Sequence, residues 1–304
     1  MKNINATLKE APVQKITFKG REYWLKRDDL INHYFNGNKA RKFQYFLEKD
    51  LSQYKTVASY GGNQSNAMFS LSAFAQIKRL KFDYYVKPIP KWLKENPVGN
   101  FKAALKMGMN YIELNDYEEF FQKMSLPNKS FHELGNDTLL IRQGGAEKEA
   151  EYGIKILADE INTFAEEKKI NNLSVFIQSG TGTTAVFLQK YLNHKVYTTP
   201  NIGDTEYLQK QFSLLVQDTE LHPIIIESPK KYQFGNLYTE FYNIWKEINE
   251  ETGIEFELLY DPITIIAMNS VQKSIKGEIM YIHSGGTFGN ESMLNRYKRY
   301  FKYK

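Results

Sequence analysis

The 304 residues contain no cysteine. That excludes a disulfide framework, a cysteine nucleophile and a thiolate metal site, and it fits a reducing compartment. Charge of one sign is barely in excess: 40 Lys and Arg against 35 Asp and Glu leave a net +5. A nucleic-acid-binding chain more often concentrates a basic stripe. Long apolar runs are missing too. The stretch ITIIAM, Ile263 to Met268, is typical, far short of the about 20 residues a membrane helix needs. The N-terminal MKNINATLKEAPVQKI is polar and has no apolar h-region. These absences predict a soluble, cytoplasmic protein that binds neither membrane nor nucleic acid. The C-terminal cations Arg296, Lys298, Arg299, Lys302 and Lys304 alternate with Tyr297, Tyr300, Phe301 and Tyr303. A nucleic-acid patch is one reading of that pattern. The other, preferred here, is a last helix with an aromatic face in the core and its cations in water.

What is present is globular: 42% hydrophobic and 25% charged residues, in a length that suits one large or two modest domains. Short β-rich runs alternate with helical stretches. Lys15 to Lys26 reads as a hairpin turning at Lys19-Gly20. Strands are expected at 56–60, 82–86, 139–141, 173–178, 196–199, 224–226 and 279–283. Helices are expected at 63–79, 100–107, 146–168, 183–191 and near 204–217, 237–251 and 287–300. Segments around Pro88-Ile89-Pro90 and Leu126-Pro127-Asn128 read as loops. This alternation predicts parallel sheets covered on both faces, with ligands at the carboxyl ends of the strands.

Four strand-to-helix loops could carry chemistry. Gln178-Ser179-Gly180-Thr181-Gly182-Thr183-Thr184 would bring backbone N–H groups, hydroxyls and a helix dipole onto one anion. It lacks the Gly-Lys-Ser/Thr ending of a nucleotide loop and the GxGxxG fingerprint, and a tight turn with nothing bound remains open. In Gly37-Asn38-Lys39-Ala40-Arg41-Lys42, Lys39 stands at a helix start with Arg41 and Lys42 as cationic neighbours. Partial desolvation there would lower its pKa and free a neutral amine; the alternative is a solvated basic helix start. Ser59-Tyr60-Gly61-Gly62-Asn63-Gln64-Ser65-Asn66 offers hydroxyl and amide groups for a carboxylate or ring oxygen, or simply an N-cap. In Tyr281-Ile282-His283-Ser284-Gly285-Gly286, His283 reads as a core histidine rather than a metal ligand, since only five histidines occur and none is paired in spacing.

In this order, Lys26-Arg27-Asp28-Asp29-Leu30, Gly37-Asn38-Lys39-Ala40-Arg41-Lys42, Gly61-Gly62-Asn63-Gln64-Ser65-Asn66, Gly180-Thr181-Gly182-Thr183-Thr184 and His283-Ser284-Gly285-Gly286 resemble pyridoxal-phosphate enzymes. The group is that of D-cysteine desulfhydrase and 1-aminocyclopropane-1-carboxylate (ACC) deaminase. The resemblance implies an α/β fold of two-domain open twisted sheets, tryptophan-synthase-β-like (PLP fold type II). The small domain, 46–144, would be inserted in a large one, 1–45 and 145–304. A homodimer would bind pyridoxal 5'-phosphate and a small amino acid. By resemblance, Lys39 would form the imine with the cofactor and Ser65 would stand beside the substrate α-carbon. Asn66 would bond the ring hydroxyl, Gly180 to Thr184 would hold the phosphate, and Ser284 would face the pyridine nitrogen. Asn63, Gln64 and Ser65 would take the substrate carboxylate, with Tyr232, Phe234 and Thr264 on the rest of the substrate side.

Three departures bear on the substrate. Asn36 stands where the family has glycine. The family's Asp-Pro-Val-Tyr-Glu appears as Asp261-Pro262-Ile263-Thr264-Ile265, which replaces a tyrosine by Thr264 and a glutamate by Ile265. A second family tyrosine falls on Phe234, with Tyr232 near enough to stand in. ACC has no α-hydrogen, and opening its ring is expected to need that tyrosine and glutamate. The implied activity is therefore α,β-elimination of D-cysteine to pyruvate, ammonia and sulfide, with ACC turnover not expected. ACC deaminase is the alternative within the family. A phosphosugar- or nucleotide-binding protein using only the 178–184 loop is the alternative outside it.

Overall fold

The computed structural model describes residues 8–35, 37–124 and 135–303. Asn36 and the expected loop at Leu126-Pro127-Asn128 lie outside them. Lys19 (φ 50°) and Gly20 (φ 70°) are both left-handed. They form a two-residue turn whose twist suits a hairpin, joining β1 (Val13–Phe18) to β2 (Arg21–Lys26) with Phe18 opposite Arg21. Beyond β2 the sheet becomes parallel. Its order is β1-β2-β10-β7-β8-β9, with β7 at Leu173–Ser179, β8 at Lys195–Pro200, β9 at Ile224–Ile225 and β10 at Glu278–Ile282. Every residue of β7 is buried, as expected for a central strand covered on both faces.

A second parallel sheet has the order β5-β4-β3-β6, with β3 at Thr56–Tyr60, β4 at Lys81–Val86, β5 at Met109–Glu113 and β6 at Thr138–Leu140. Strand β5, with its polar Asn110 and Glu113, was not expected from the sequence. The helices are α1 (Gly37–Glu48), α2 (Asn66–Lys78), α3 (Lys91–Glu95), α4 (Gly99–Lys106), α5 (Tyr117–Met124) and α6 (Ala150–Glu167). They continue with α7 (Thr183–Tyr191), α8 (Thr205–Leu215), α9 (Thr239–Thr252), α10 (Asp261–Val271) and α11 (Asn290–Lys302). The apolar run ITIIAM lies within α10.

Helix α1 links the two layers. Phe43 and Phe46 enter the core beneath the four-stranded sheet, while Gly153 of α6 admits the α1 backbone: a methyl there would lie 2.1 Å from the Arg41 carbonyl. At the other end, Asn38 N–H donates to the Ser284 carbonyl at 3.3 Å. A methyl on Gly37 would stand 2.5 Å from that same oxygen, so only glycine lets α1 start against the loop after β10.

The last helix departs from its expected pattern. Tyr297 is buried in the core, but Phe301 and Tyr303 are exposed and Arg296 turns inward.

Candidate active site

The carboxyl ends of β3, β7 and β10 meet the start of α1 around a cavity of about 330 Å³. Lys39, Ser65, Asn66, Gly180 to Thr184 and Ser284 all line it. Lys39 donates to Asn38 Oδ1 at 3.1 Å. Burial lowers its pKa to about 8, although Glu257 pulls the other way. Arg41, expected as a tuning neighbour, faces elsewhere: it binds Asp28 at 3.0 Å and Glu160 at 2.7 Å, and Lys26 pairs with the same Glu160 at 2.6 Å. Lys42 is the cation that does sit beside Lys39. It lines the cavity, donates to the Gly144 carbonyl at 2.9 Å, and has a pKa held far down by burial and by Lys39.

Ser65 caps α2, its Oγ accepting from the Ala67 and Met68 N–H groups. Asn66 Oδ1 accepts from Asn100 at 2.7 Å, which leaves its amide NH₂ as the side available for donation. Ser284 is buried and donates to Gln178 Oε1 at 3.3 Å. At the start of α7 the free N–H groups of a first turn open on the cavity. Thr181 and Thr183 hydroxyls bond each other at 2.9 Å, and the buried Thr184 Oγ1 has no protein partner. Gly182 (φ 73°) is required by its backbone and by the core behind it: an added methyl would stand 2.5 Å from Phe212. His283 is a core residue, fully buried, stacked on Phe256 and hydrogen-bonded to the Glu255 carbonyl at 2.9 Å. Among the described residues no cluster of His, Asp and Glu could hold a metal.

The substrate side differs from expectation. Asn63, Gln64 and Phe234 line a second cavity of about 900 Å³, which adjoins the first and shares Ser65, Asn66, Gln143, Ile202, Glu257 and Tyr260 with it. Thr264 lines neither. It is buried behind the wall, 3.3 Å from Asn201 Oδ1, and Ile265 belongs to the core. Tyr232 packs among Tyr238 and Phe241, away from both cavities. In their place stand two residues that the sequence reading missed. Glu257 is buried, accepts the N–H groups of Leu259 (2.9 Å) and Tyr260 (2.5 Å), and has its pKa raised to about 8, first by burial and then by Asp261. Tyr260 is half-buried, its phenol pKa pushed up chiefly by desolvation. Its hydroxyl approaches the phosphate-type loop, since a methyl at Gly180 would lie 3.9 Å from it. The local signal was weak: in Glu257-Leu258-Leu259-Tyr260 the polar ends flank an apolar pair, and nothing in the spacing marks them as cavity-lining.

The donor set suits pyridoxal phosphate. A helix start with an unpartnered buried hydroxyl answers a phosphate, a partly desolvated amine answers an aldehyde, and Asn66 offers N–H to a ring oxygen. Comparison with known proteins leads to the same place. A Thermotoga maritima protein named for 1-aminocyclopropane-1-carboxylate deaminase is 25% identical over 94% of this chain and 96% of its own. The bifunctional mitochondrial D-cysteine desulfhydrase/ACC deaminase of Arabidopsis thaliana is 23% identical over 89% of this chain and 73% of its own. Homologues of this chain thus carry the names ACC deaminase and D-cysteine desulfhydrase. These homologues are enzymes, and the solved structures agree on the fold. An ACC deaminase homologue superposes with TM-score 0.75, at 20% identity, over 97% of this chain and 94% of its own. A threonine deaminase does so with TM-score 0.64, at 12% identity, over 91% and 92%. The architecture is that of PLP fold-type II enzymes. No protein-family model matches the chain.

Proposed function

We propose that this chain is a pyridoxal-phosphate-dependent lyase that performs α,β-elimination on a small amino acid, giving pyruvate, ammonia and sulfide from a D-cysteine-type substrate. The observation that carries the reading is Lys39: a half-buried amine whose pKa desolvation lowers to about 8, in a cavity also lined by a helix start with a free hydroxyl. When bound, the cofactor supplies an electron sink beside the substrate α-carbon. Gly180 to Thr184 and Lys42 would hold its phosphate, Asn66 its ring hydroxyl and Ser284, a neutral partner, its pyridine nitrogen. Lys39 would carry it covalently. With its lowered pKa, the Lys39 amine takes and returns a proton at Cα near working pH. Asn63, Gln64 and Ser65 would orient the substrate carboxylate so that the Cα–H bond faces Lys39.

A second reading, ACC deaminase, has an observation of its own. The case against it rested on Thr264 and Ile265 in place of a tyrosine and a glutamate. Tyr260 and Glu257 bring a phenol and a carboxyl into the cavity from just before that motif, so an acid is at hand after all. The proposal also includes the inserted domain 46–144, in keeping with two separate sheets, the homodimer that the family resemblance implies, and the cytoplasmic location expected from the lack of an apolar targeting segment in the sequence.

The deciding experiment reconstitutes the protein with pyridoxal phosphate and assays D-cysteine, L-cysteine and ACC. Equal yields of pyruvate and sulfide from D-cysteine support the first reading. Oxobutyrate from ACC without sulfide release from cysteine replaces it by the second. Protein with no borohydride-reducible chromophore overturns both.

A further inference from the structure

The second cavity is too large for the substrate just proposed. At about 900 Å³ it lies near the top of the range for sites that enclose drug-sized ligands, roughly 300–1,000 Å³, whereas cysteine has three carbons. Its inner end is Ser65, Asn66, Glu257 and Tyr260, shared with the cofactor-type cavity. Between the two ends its lining includes the apolar side chains Leu93, Val98, Phe234 and Leu259. Its outer end is basic: Arg296 and Arg299, one turn apart on α11, both line it.

Neither arginine meets a carboxylate among the described residues. Arg296 donates to the Gly235 carbonyl at 2.6 Å and to Met293 Sδ at 3.3 Å, both neutral acceptors. It is half-buried there, and burial lowers its pKa. Arg299 lies over the Trp92 ring at 5.9 Å, which holds its guanidinium at the cavity mouth without neutralising it. A partly desolvated guanidinium without a counter-charge is unfavourable unless an anion completes it, and two guanidiniums one turn apart suit the fork geometry of a carboxylate. Glu257 is the acidic side chain that lines this cavity, and it sits at the opposite end.

We propose that the site takes amino acids with a long side chain ending in an anion, the α-amino acid part at Asn63, Gln64 and Ser65 and the distal carboxylate on Arg296 and Arg299. This deepens the proposed function and rests on its reading of the Ser65 loop as the amino-acid end. A β-thioether of cysteine with a terminal carboxylate is the substrate class that fits both ends, and the apolar side chains between them accommodate its methylenes.

The test uses ligands that cannot eliminate, because their β-carbon carries no leaving group. Holoenzyme is titrated with 2-aminopimelate and with 2-aminoheptanoate, which has the same chain without the distal carboxylate. Binding is read by calorimetry and by the change in cofactor absorbance. We expect 2-aminopimelate to bind at least tenfold tighter, with the advantage shrinking as salt is raised and vanishing in Arg296→Gln/Arg299→Gln. Arg299→Gln alone, at the mouth, should remove much of it if the double variant does not fold. Equal affinities in wild-type protein, or an advantage that survives the arginine substitutions, overturn the proposal. Failure of the lyase reading looks different: D-cysteine is not turned over while the aminopimelate preference persists.

Discussion

Glu257 raises the proton affinity of Lys39 across the cavity that both residues line. Burial works on the two in opposite senses. It lifts the Glu257 carboxyl from an ordinary 4.5 to about 8 and lowers the Lys39 amine from 10.5 to about 8. Two groups of opposite charge type thus change protonation over the same interval.

A pH dependence of stability follows for the cofactor-free protein. The Glu257 pKa is higher folded than unfolded, so its contribution is full below pH 4.5 and is lost as pH rises to about 8. The Lys39 pKa is lower folded than unfolded, so its unfavourable burial is relieved as pH rises from about 8 to 10.5. Urea midpoints for wild type and Glu257→Gln should therefore diverge between pH 5 and 8, with the variant flatter. Parallel curves would show that Glu257 titrates as an ordinary exposed carboxylate.

Lys39→Ala should abolish borohydride-fixed cofactor and leave the fold intact. Lys42→Met should keep the label on Lys39. Removing one charge-assisted bond, worth about 1.5–3 kcal/mol, should weaken cofactor affinity by roughly one to two powers of ten. Peptide mapping that finds the label on Lys42 or Lys26 defeats the assignment.

The anion-type loop can be dissected with two substitutions of opposite character. Gly182→Ala places a methyl 2.5 Å from Phe212 and 2.6 Å from Leu208 at a left-handed φ. Left-handed strain of about 1–2 kcal/mol and overpacking of about 1–3 kcal/mol should lower the denaturation midpoint even without cofactor. Thr184→Val removes a buried hydroxyl that has no protein partner. Cofactor-free stability should hold or improve, while cofactor affinity falls about tenfold. A Thr184→Val protein with unchanged affinity means the phosphate lies elsewhere.

Arg41→Ala tests a structural role. It leaves Asp28, which is fully buried, without its cation, and half of the Glu160 pairing is lost. Breaking a buried pair from one side costs about 3–5 kcal/mol. The variant should melt far below wild type yet, when folded, still label at Lys39. A normal midpoint would mean that the ion cluster contributes nothing.

Much of the architecture was legible because its signals are local. Lys19-Gly20 demands a tight hairpin turn, the largely apolar run 173–178 demands a covered strand, and Gly-rich segments between strand and helix mark the ligand-facing edge of a parallel sheet. The chemistry-bearing loops were legible for the same reason, since each is a short contiguous stretch. Strand β5 was not, because its exposed face is polar and its pairing with β4 is supplied from outside the segment.

Local residue patterns were enough to mark the loops that could meet at the site and to put Lys39 at the head of one of them. Which neighbours share its cavity depends on packing between distant segments. Lys39 and Lys42, three residues apart, fall on one helix face, whereas Arg41 is turned to Asp28 and Glu160. Helix α10 begins at Asp261 and carries Thr264 towards Asn201 and Ile265 into the core, so the cavity wall is made instead by residues of the loop before it, Glu257 and Tyr260. Arg296, which the amphipathic pattern assigns to water, is drawn inward by the Gly235 carbonyl from 61 residues away. Periodicity specifies which residues share a face of one element; what that face meets depends on packing between elements distant in sequence, and that packing set the substrate side of this protein.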